Sequence, residues 1–350
     1  MNIKLGAFFV WGTIALNYTA QAQSKVDQKN SSTDPLAENM LVYQRAIGGW
    51  PKAIGKVVVK YEQVLSDAEK QEIKADSLHK DATIDNKATS REIRYLIDAY
   101  KNTGNTRYLI AVQKGIDYLL KAQYANGGWP QYYPDHSLYR GQITYNDNAM
   151  INVLNILQDI VEGKNNLDLL NAGYQAKAKA AVQKGIDCIL KTQVVVKGKP
   201  TVWCAQHDEK TLKPAQARAF ELVSLSGMES VNIVEFLMRI KHPDEQVKNA
   251  ITAAVQWFEK SKITGYDFVF VTAKDLPGGK DRILEQKPGA VIWARFYDID
   301  TNEPFFSGRD SEKRKTVAEI ELERRVGYAW YGTWPAALLD KKYPAWLKKN

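Results

Sequence analysis

A few polar loops and a set of arginines hold the residue types able to do chemistry in this 350-residue chain. Asp85-Asn86 lies in ATIDNKAT, Asn146-Asp147-Asn148 in ITYNDNAM, and His207-Asp208 in TVWCAQHDEK. An aspartate at a helix start is ordinarily an N-cap that accepts the first free backbone N–H groups. That reading competes at Asp85 and Asp147, whereas Asp208 has a weaker capping context. If Asp147 and Asp208 converge, they form a hard-oxygen pair suited to Ca²⁺, which takes carboxylate, carbonyl and water oxygens at flexible geometry. No EF-hand loop is present, so such a site would be assembled from separate segments and completed by ligand carboxylates.

The C-terminal third places arginines beside glycines and aromatics. Arg282 follows Gly278-Gly279-Lys280-Asp281, Arg295 lies in Trp293-Ala294-Arg295-Phe296-Tyr297, and Arg309 in Phe306-Ser307-Gly308-Arg309-Asp310. Arg324 and Arg325 precede Gly327-Tyr328-Ala329-Trp330-Tyr331. A guanidinium captures a carboxylate through two parallel hydrogen bonds and stacks on flat faces, so this composition suits an acidic sugar. The competing reading is local ion pairing, favoured for Arg314 and Arg324 in the charged TVAEIELERR segment. Arg282, in a glycine loop with few apolar neighbours, stands out as functional. The four histidines (His79, His136, His207, His242) show neither zinc-ligand spacing nor an HExxH pattern, which argues against zinc catalysis.

The elements that must position these residues repeat. The string AVQKGID occurs at Ala111–Asp117 and again 70 residues later at Ala181–Asp187, with an echo at Ala254-Val255-Gln256. Val112, Ile116, Leu119 and Leu120 form an apolar helical stripe, as do Val182, Ile186, Ile189 and Leu190. Each repeat helix has a periodic partner before it, marked by Ile93, Leu96 and Ile97, by Met150, Val153 and Leu154, or by Ile233, Phe236 and Leu237. Asn102-Thr103-Gly104-Asn105, Glu162-Gly163-Lys164 and His242-Pro243 supply the stops. The pattern predicts three antiparallel helical hairpins able to close into a toroid, with loops at one end gathered around a common mouth. No alternating pattern is long enough to compete, although short strands are expected near Tyr266–Thr272. The motifs GGWPK, GGWPQ and GTWP recur around Trp50, Trp129 and Trp334. A structural plug is the expectation for Trp50 and Trp334. Trp129, followed by Tyr132 and Tyr133, is equally a candidate for stacking on a sugar, with Tyr133 beside it.

Residues 1–22 read as a secretory signal: Lys4, a mostly apolar run from Leu5 to Leu16, and Ala20-Gln21-Ala22 for cleavage. Residues 23–37 read as a flexible polar leader and 38–350 as one domain. No later stretch is apolar enough to span a membrane. Cleavage removes only Lys4 among charged residues, lowering the formal net charge from +8 to +7. That modest excess fits a polyanionic partner, and an exported monomer is expected. Cys188 and Cys204, sixteen positions apart, are able to pair in an oxidising compartment.

Taken together, GGWPQYYP, ITYNDNAM, WCAQHDEKTLKPAQARAFELVSLSGMES, KDRIL, WARFYDIDTNEPFFSGRD and ERRVGYAWYGTWP resemble the family 10 polysaccharide (pectate) lyases, across roughly residues 37–348. The resemblance implies an (α/α)3 toroid, all-α, with an irregular C-terminal part flanking a wide substrate groove. It implies Ca²⁺-dependent β-elimination of polygalacturonate, with no role for nucleic acid. By motif, Asp147 and Asp208 match the calcium-associated carboxylates and Arg282 the catalytic base, without which turnover is lost. Arg309 and Arg325, with Arg324 as the alternative to Arg325, resemble the arginines that hold substrate carboxylates. Three rivals remain at this level: a terpene cyclase or prenyltransferase, suggested by the Gln-Trp pattern in KGIDYLLKAQYANGGW but lacking an aspartate-rich motif; a two-carboxylate glycoside hydrolase; and a non-catalytic binder of acidic glycans.

Overall fold

The computed structural model describes residues 32–350, so the segment expected to be a secretory signal, residues 1–22, lies outside the described residues. Residues 23–31 of the expected leader also lie outside the described residues, and its last residues, 35–37, are helical. Asp34 caps helix α1 (Pro35–Tyr43), its side chain accepting from Ala37 N, with proline in the first turn and Ala37 fully buried. Helix α2 (Asp67–Ala75) follows behind a Ser66/Glu69 capping box.

Three hairpins then follow one another. Helices α3 (Ser90–Thr103) and α4 (Thr106–Ala122) turn at Gly104, which is left-handed, with Asn105 capping α4. Helices α5 (Ala149–Glu162) and α6 (Ala172–Thr192) turn at Gly163, also left-handed, and Asn171 caps α6. Helices α7 (Glu229–Met238) and α8 (Glu245–Lys260) are joined through Pro243 and the Asp244 cap. Within each hairpin the two helices pack together; α3, α5 and α7 abut as an inner layer, and α4, α6 and α8 as an outer one. This is the (α/α)3 toroid. No helix among the described residues is long and apolar enough to cross a membrane.

One repeated clasp welds the layers. The indole Nε1 of Trp50 donates to Met40 O in α1 at 2.7 Å, that of Trp129 to Leu119 O in α4 at 2.7 Å, and that of Trp203 to Ile189 O in α6 at 2.7 Å. Each fills one of the carbonyls that a helix end leaves without an intrahelical partner. Beside each tryptophan a glutamine bridges to the next outer helix: Gln44 Nε2 to Ala111 O, Gln123 Nε2 to Ala181 O, and Gln193 Nε2 to Ala250 O. Here AVQKGID finds its purpose. A Cβ on Gly115 would come within 2.9 Å of the Trp50 ring, and one on Gly185 within 3.3 Å of the Trp129 ring. The glycine makes room for the plug. The third clasp uses Ala250, one turn before the Ala254 echo. Trp129 is fully buried with its N–H committed, so it offers no face to a sugar and the stacking expectation is corrected.

The C-terminal part is more ordered than expected. Strand β3 (Ile263–Thr272) pairs antiparallel with the fifteen-residue β4 (Lys280–Ala294), after two short strands β1 (Ile143–Thr144) and β2 (Gln206–His207), and β5 (Tyr331–Gly332) completes its sheet. The run Tyr-Asp-Phe-Val-Phe-Val-Thr alternates too briefly on its own to announce a strand pair of that length; the partner strand supplies the rest. Cys188 and Cys204 are buried free thiols.

Gly127 is the most constrained element of the clasp: its φ is +94°, and a Cβ would lie 1.9 Å from Lys184 O. Gly104, with φ +70° and open space, has only the backbone problem. Gly104→Ala should cost about 1–2 kcal/mol and Gly127→Ala clearly more, read as denaturant midpoints; equal losses would refute the close-approach argument.

Candidate functional site

The loops leading into the inner helices meet at one end of the bundle, as expected. Isolated β-bridges join Pro51 to Ala82, Thr83 to Tyr132 and Pro130 to Ile143, and the β1–β2 pair joins Ile143 to His207, a belt laid across the helix starts. Asp85 sits in the 3-10 turn Asp85–Lys87 and Asp147 in the turn Asn146–Asn148, and the two turns touch. Neither aspartate is an N-cap: no side chain caps α3 or α5. Both turns pass through left-handed backbone at Asn86, Asp147 and Asn148, a region that Asn and Asp tolerate. Thr89 also has a positive φ (64°) but with ψ −45°, a different and strained conformation, held because its hydroxyl donates to Thr83 O and accepts from Trp50 N. The clasp thus reaches directly into the Asp85 loop.

The third inner helix contributes Glu229 at the start of α7. Arg295, only 4% exposed, joins the three segments: its Nη2 donates to Glu229 and to Asn146 Oδ1 (3.2 Å) and lies 3.6 Å from Asp147 Oδ1. Burial works against its charge, but Glu229, Tyr328, Asp147 and Glu221 overcome that and hold it protonated. Asp147 is one-third exposed; burial pushes its carboxyl up, Arg295 and Arg218 pull it down, and Glu229 and Asp85 add to the rise. Arg218 is 42% exposed, forked onto Glu221 (Nε to Oε2, 2.7 Å) and stacked 4.8 Å over Phe220. Tyr328 donates to the same Glu221 at 2.9 Å. On the other side Lys52 salt-bridges Asp85, and Arg140 lies 4.9 Å over the Tyr132 ring. Asp85 Oδ1 is buried without a hydrogen-bond partner.

Several expected site residues stand elsewhere. Asp208 is not brought to Asp147. The antiparallel β1–β2 register leaves Asp147 beyond one end, where Asn146 N donates to Ala205 O, and Asp208 beyond the other. The Asp208 carboxylate closes its own turn, accepting from Thr211 N and Lys210 N, bonds that lower its pKa. Arg282 rides out on β4, opposite Phe270. The Ile263/Ile292 pair at the hairpin base is seven β3 residues from that position, on the order of 20 Å. The carboxylate acting on Arg282 is Asp267, not Asp147. Arg325 is committed: Nε and Nη2 fork onto Asp281 at 2.6 and 2.9 Å, and Nη1 donates to Ala318 O and Ile320 O. Arg324 is 12% exposed and turned onto Glu323 and the Phe220 ring. Arg295 reaches the cluster, but as its buried floor. Arg309 is 62% exposed and paired only with exposed Glu323. Tyr133 is half-buried, edge-on to Tyr118.

Sequence reasoning missed Lys52, Arg140, Arg218 and Glu229. The Arg–aromatic adjacency used for the C-terminal arginines applies equally to Arg218-Ala219-Phe220 and was available. Glu229 was hidden because it looked like ordinary helix-start chemistry. No group of three or more His, Cys, Asp or Glu side chains able to hold a metal converges among the described residues. Asp85 and Asp147 do fit a hard cation in part. One presents an unpartnered buried oxygen and the other a carboxylate raised by burial and like charge, both conditions that a divalent ion relieves.

The pectic acid lyase family profile matches residues 44–339. Among solved structures, a family 10 polysaccharide lyase from Cellvibrio cellulosa superposes with a TM-score of 0.76 at 34% identity, covering 88% of this chain and 91% of that one. A mutant of that enzyme in complex with trigalacturonic acid superposes at 0.77 and 34% identity, covering 88% and 92%. No curated protein matches.

One buried group near the belt makes stability depend on pH. His207 is fully buried, Nδ1 against Leu212 O and Nε2 without a partner, and burial lowers its pKa from 6.5 to about 4. Below 6.5 the unfolded chain takes up the proton and the folded one does not. The stability is therefore complete above pH 6.5 and falls as pH drops toward 4, by on the order of 3 kcal/mol. Urea midpoints at pH 7 and pH 4.5 should show that loss, and His207→Phe should flatten it.

Proposed function

The chain belongs to the pectic acid lyase family and is a pectate lyase, and from that premise we propose that it cleaves α-1,4-polygalacturonate by Ca²⁺-dependent β-elimination at the Asp85–Asp147–Arg218 cluster. The observation that carries this reading is the partly exposed, burial-raised Asp147 between Arg295 beneath it and exposed Arg218 nearby. Asp147 and Asp85 would hold the cation, with substrate carboxylate and water completing its shell. A Ca²⁺ ion held there would supply positive charge against the uronate carboxylate, which would make the adjacent C5 proton more acidic.

The chain's own groups do the rest. Arg295 and Glu229 fix Asp147 from below. Lys52 and Arg140 offer positive charge to flanking uronates, with the Tyr132 ring between them. Arg218 takes the place expected for Arg282 as proton acceptor, because reach decides before pKa. It accepts the C5 proton, the C5–H electron pair forms the C4=C5 double bond, and the 4-O-linked sugar leaves. In the free protein the Glu221 hydrogen bonds raise the Arg218 pKa, so only a small neutral fraction is available and turnover climbs with pH. The substrate carboxylates compete for Arg218 against Glu221. Exposed Arg309 serves as a further substrate cation. Every group named comes from one chain, which fits a monomer. The Lys4, Leu5–Leu16 and Ala20-Gln21-Ala22 pattern supports export.

Polygalacturonate with Ca²⁺ should yield ultraviolet-absorbing unsaturated products; reducing ends without absorbance would mean hydrolysis, and indifference to a chelator would remove the cation. Arg218→Ala should lower kcat about 100- to 10,000-fold while trigalacturonic acid still binds. Arg282→Ala should turn over trigalacturonic acid normally; the reverse pattern would return the base to Arg282.

A further inference from the structure

Arg282 has no task in the reacting cluster, yet its setting is unusual. Every other arginine among the described residues has a carboxylate partner; Arg282 has none. Its guanidinium lies 4.2 Å over the Phe268 ring and 4.8 Å over the Phe270 ring, with Nε buried and unbonded. Two residues earlier on the same strand face, Lys280 sits 5.4 Å over Phe270. Lys280 too has no acidic partner among the described ion pairs. Phe270 is 56% exposed, a large ring kept at the surface of a protruding hairpin.

The opposite face of β4 is fixed differently. Asp281, pointing the other way, is clamped by Arg325, which bolts the hairpin to helix α9 (Leu322–Gly327). One face is thus closed by an internal ion pair, and the other presents two cations backed by rings with no ion pair among the described residues, Asp267 acting on Arg282 only at longer range. The contrast with the 660 Å³ cleft between α3 and α5 is instructive. Its arginines, Arg91, Arg94 and Arg239, are each paired with Glu92, Asp159 or Glu162, so the guanidiniums of that cleft are spent internally.

We propose that the Lys280–Phe270–Arg282 face is a distal binding strip for acidic polysaccharide, in which uronate carboxylates meet Arg282 and Lys280 and an apolar sugar face lies on Phe270. The inference rests on the polygalacturonate reading above and extends that substrate beyond the reacting cluster. An exposed aromatic ring is a platform for a sugar ring's C–H face, and cations held on such rings remain free to bind outward. Because the strip stands on the order of 20 Å beyond the hairpin base, a long chain engages both places and three sugars do not. The strip therefore distinguishes polymer from short oligomer.

The test separates the strip from the lyase reading. Arg218→Ala protein, run through native gels cast with polygalacturonate but no Ca²⁺, should be retarded. Adding Lys280→Ala and Arg282→Ala should weaken the retardation roughly 3- to 10-fold in apparent affinity. Arg282→Lys should restore part of it, and gels cast with a neutral polysaccharide should retard none of these proteins. In the active enzyme the double variant should raise KM for polymer by a similar factor and leave KM and kcat for trigalacturonic acid unchanged. Unaltered affinity for polymer would overturn the strip, and so would equal losses on polymer and trimer, which would put Arg282 in the reacting cluster. Failure to form unsaturated product in the parent protein would sink the lyase reading alone, since the gel needs no turnover. Lys280 is exposed, so Lys280→Ala by itself keeps the test open if Arg282 substitutions unfold.

Discussion

The structure hangs on a paired hydrogen bond made three times. A tryptophan N–H closes a free carbonyl near the end of its own outer helix, and a neighbouring glutamine amide reaches a carbonyl on the next one. Either bond alone is worth about 1 kcal/mol. Their effect is larger because both acceptors would otherwise sit poorly satisfied in a dry interior, where an unmet polar group costs more than a met one gains. The glycines at 115 and 185 admit the indoles, so the duplicated AVQKGID is the footprint of the clasp on the adjoining helix.

That constraint passes into the site through backbone. Trp50 N donates to Thr89 Oγ1 and Trp203 N to Ser230 Oγ, both residues lying at inner-helix starts. Fixing the tryptophans therefore fixes the loops that present Asp85 and Glu229, while the touching turns carry Asp147 between them. Three carboxylates held close together repel one another, and the protein answers with a single buried guanidinium. Arg295 reaches Glu229 and Asn146 directly and Asp147 at longer range. It offsets one charge fully and another partly, leaving unmet negative charge at Asp147 beside an Asp85 whose Oδ2 is paired with Lys52 and whose buried Oδ1 has no partner. A divalent cation and a polyanion together suit such a site better than either alone.

The helical frame was legible because each hairpin writes its own pattern: stripe, glycine or proline stop, stripe. The aspartates were legible as chemistry, but their grouping was not. Asp147 and Asp208 are near in the belt by sequence logic, and only the antiparallel register of β1 and β2 shows that they point to opposite ends. Glu229 was illegible for a related reason. The carboxylates arrive at one repeated position, the start of each inner helix, and at the third only the fold shows that the acid meets buried Arg295. The long hairpin was obscured because β4 contains Gln286-Lys287-Pro288-Gly289, a polar stretch where the register with β3 shifts.

Arginine roles followed commitments that spacing does not encode. Arg325 and Arg324 look alike in sequence beside glycine and aromatics, yet one is saturated by Asp281 and two carbonyls and the other lies on Glu323 and Phe220. A guanidinium has five N–H donors, and what it can do for a ligand is set by how many remain unspent. By that measure Arg295 belongs to the scaffold of the site, Arg218 is held by one fork that a substrate carboxylate can contest, and Arg282 alone among the described arginines has no ion-paired carboxylate to give up. The same hairpin that removes Arg282 from the C5 proton also leaves it without an ion pair among the described residues, Asp267 acting on it only at longer range. A cation so placed is of use to an anion arriving from outside, at a distance only a polymer spans.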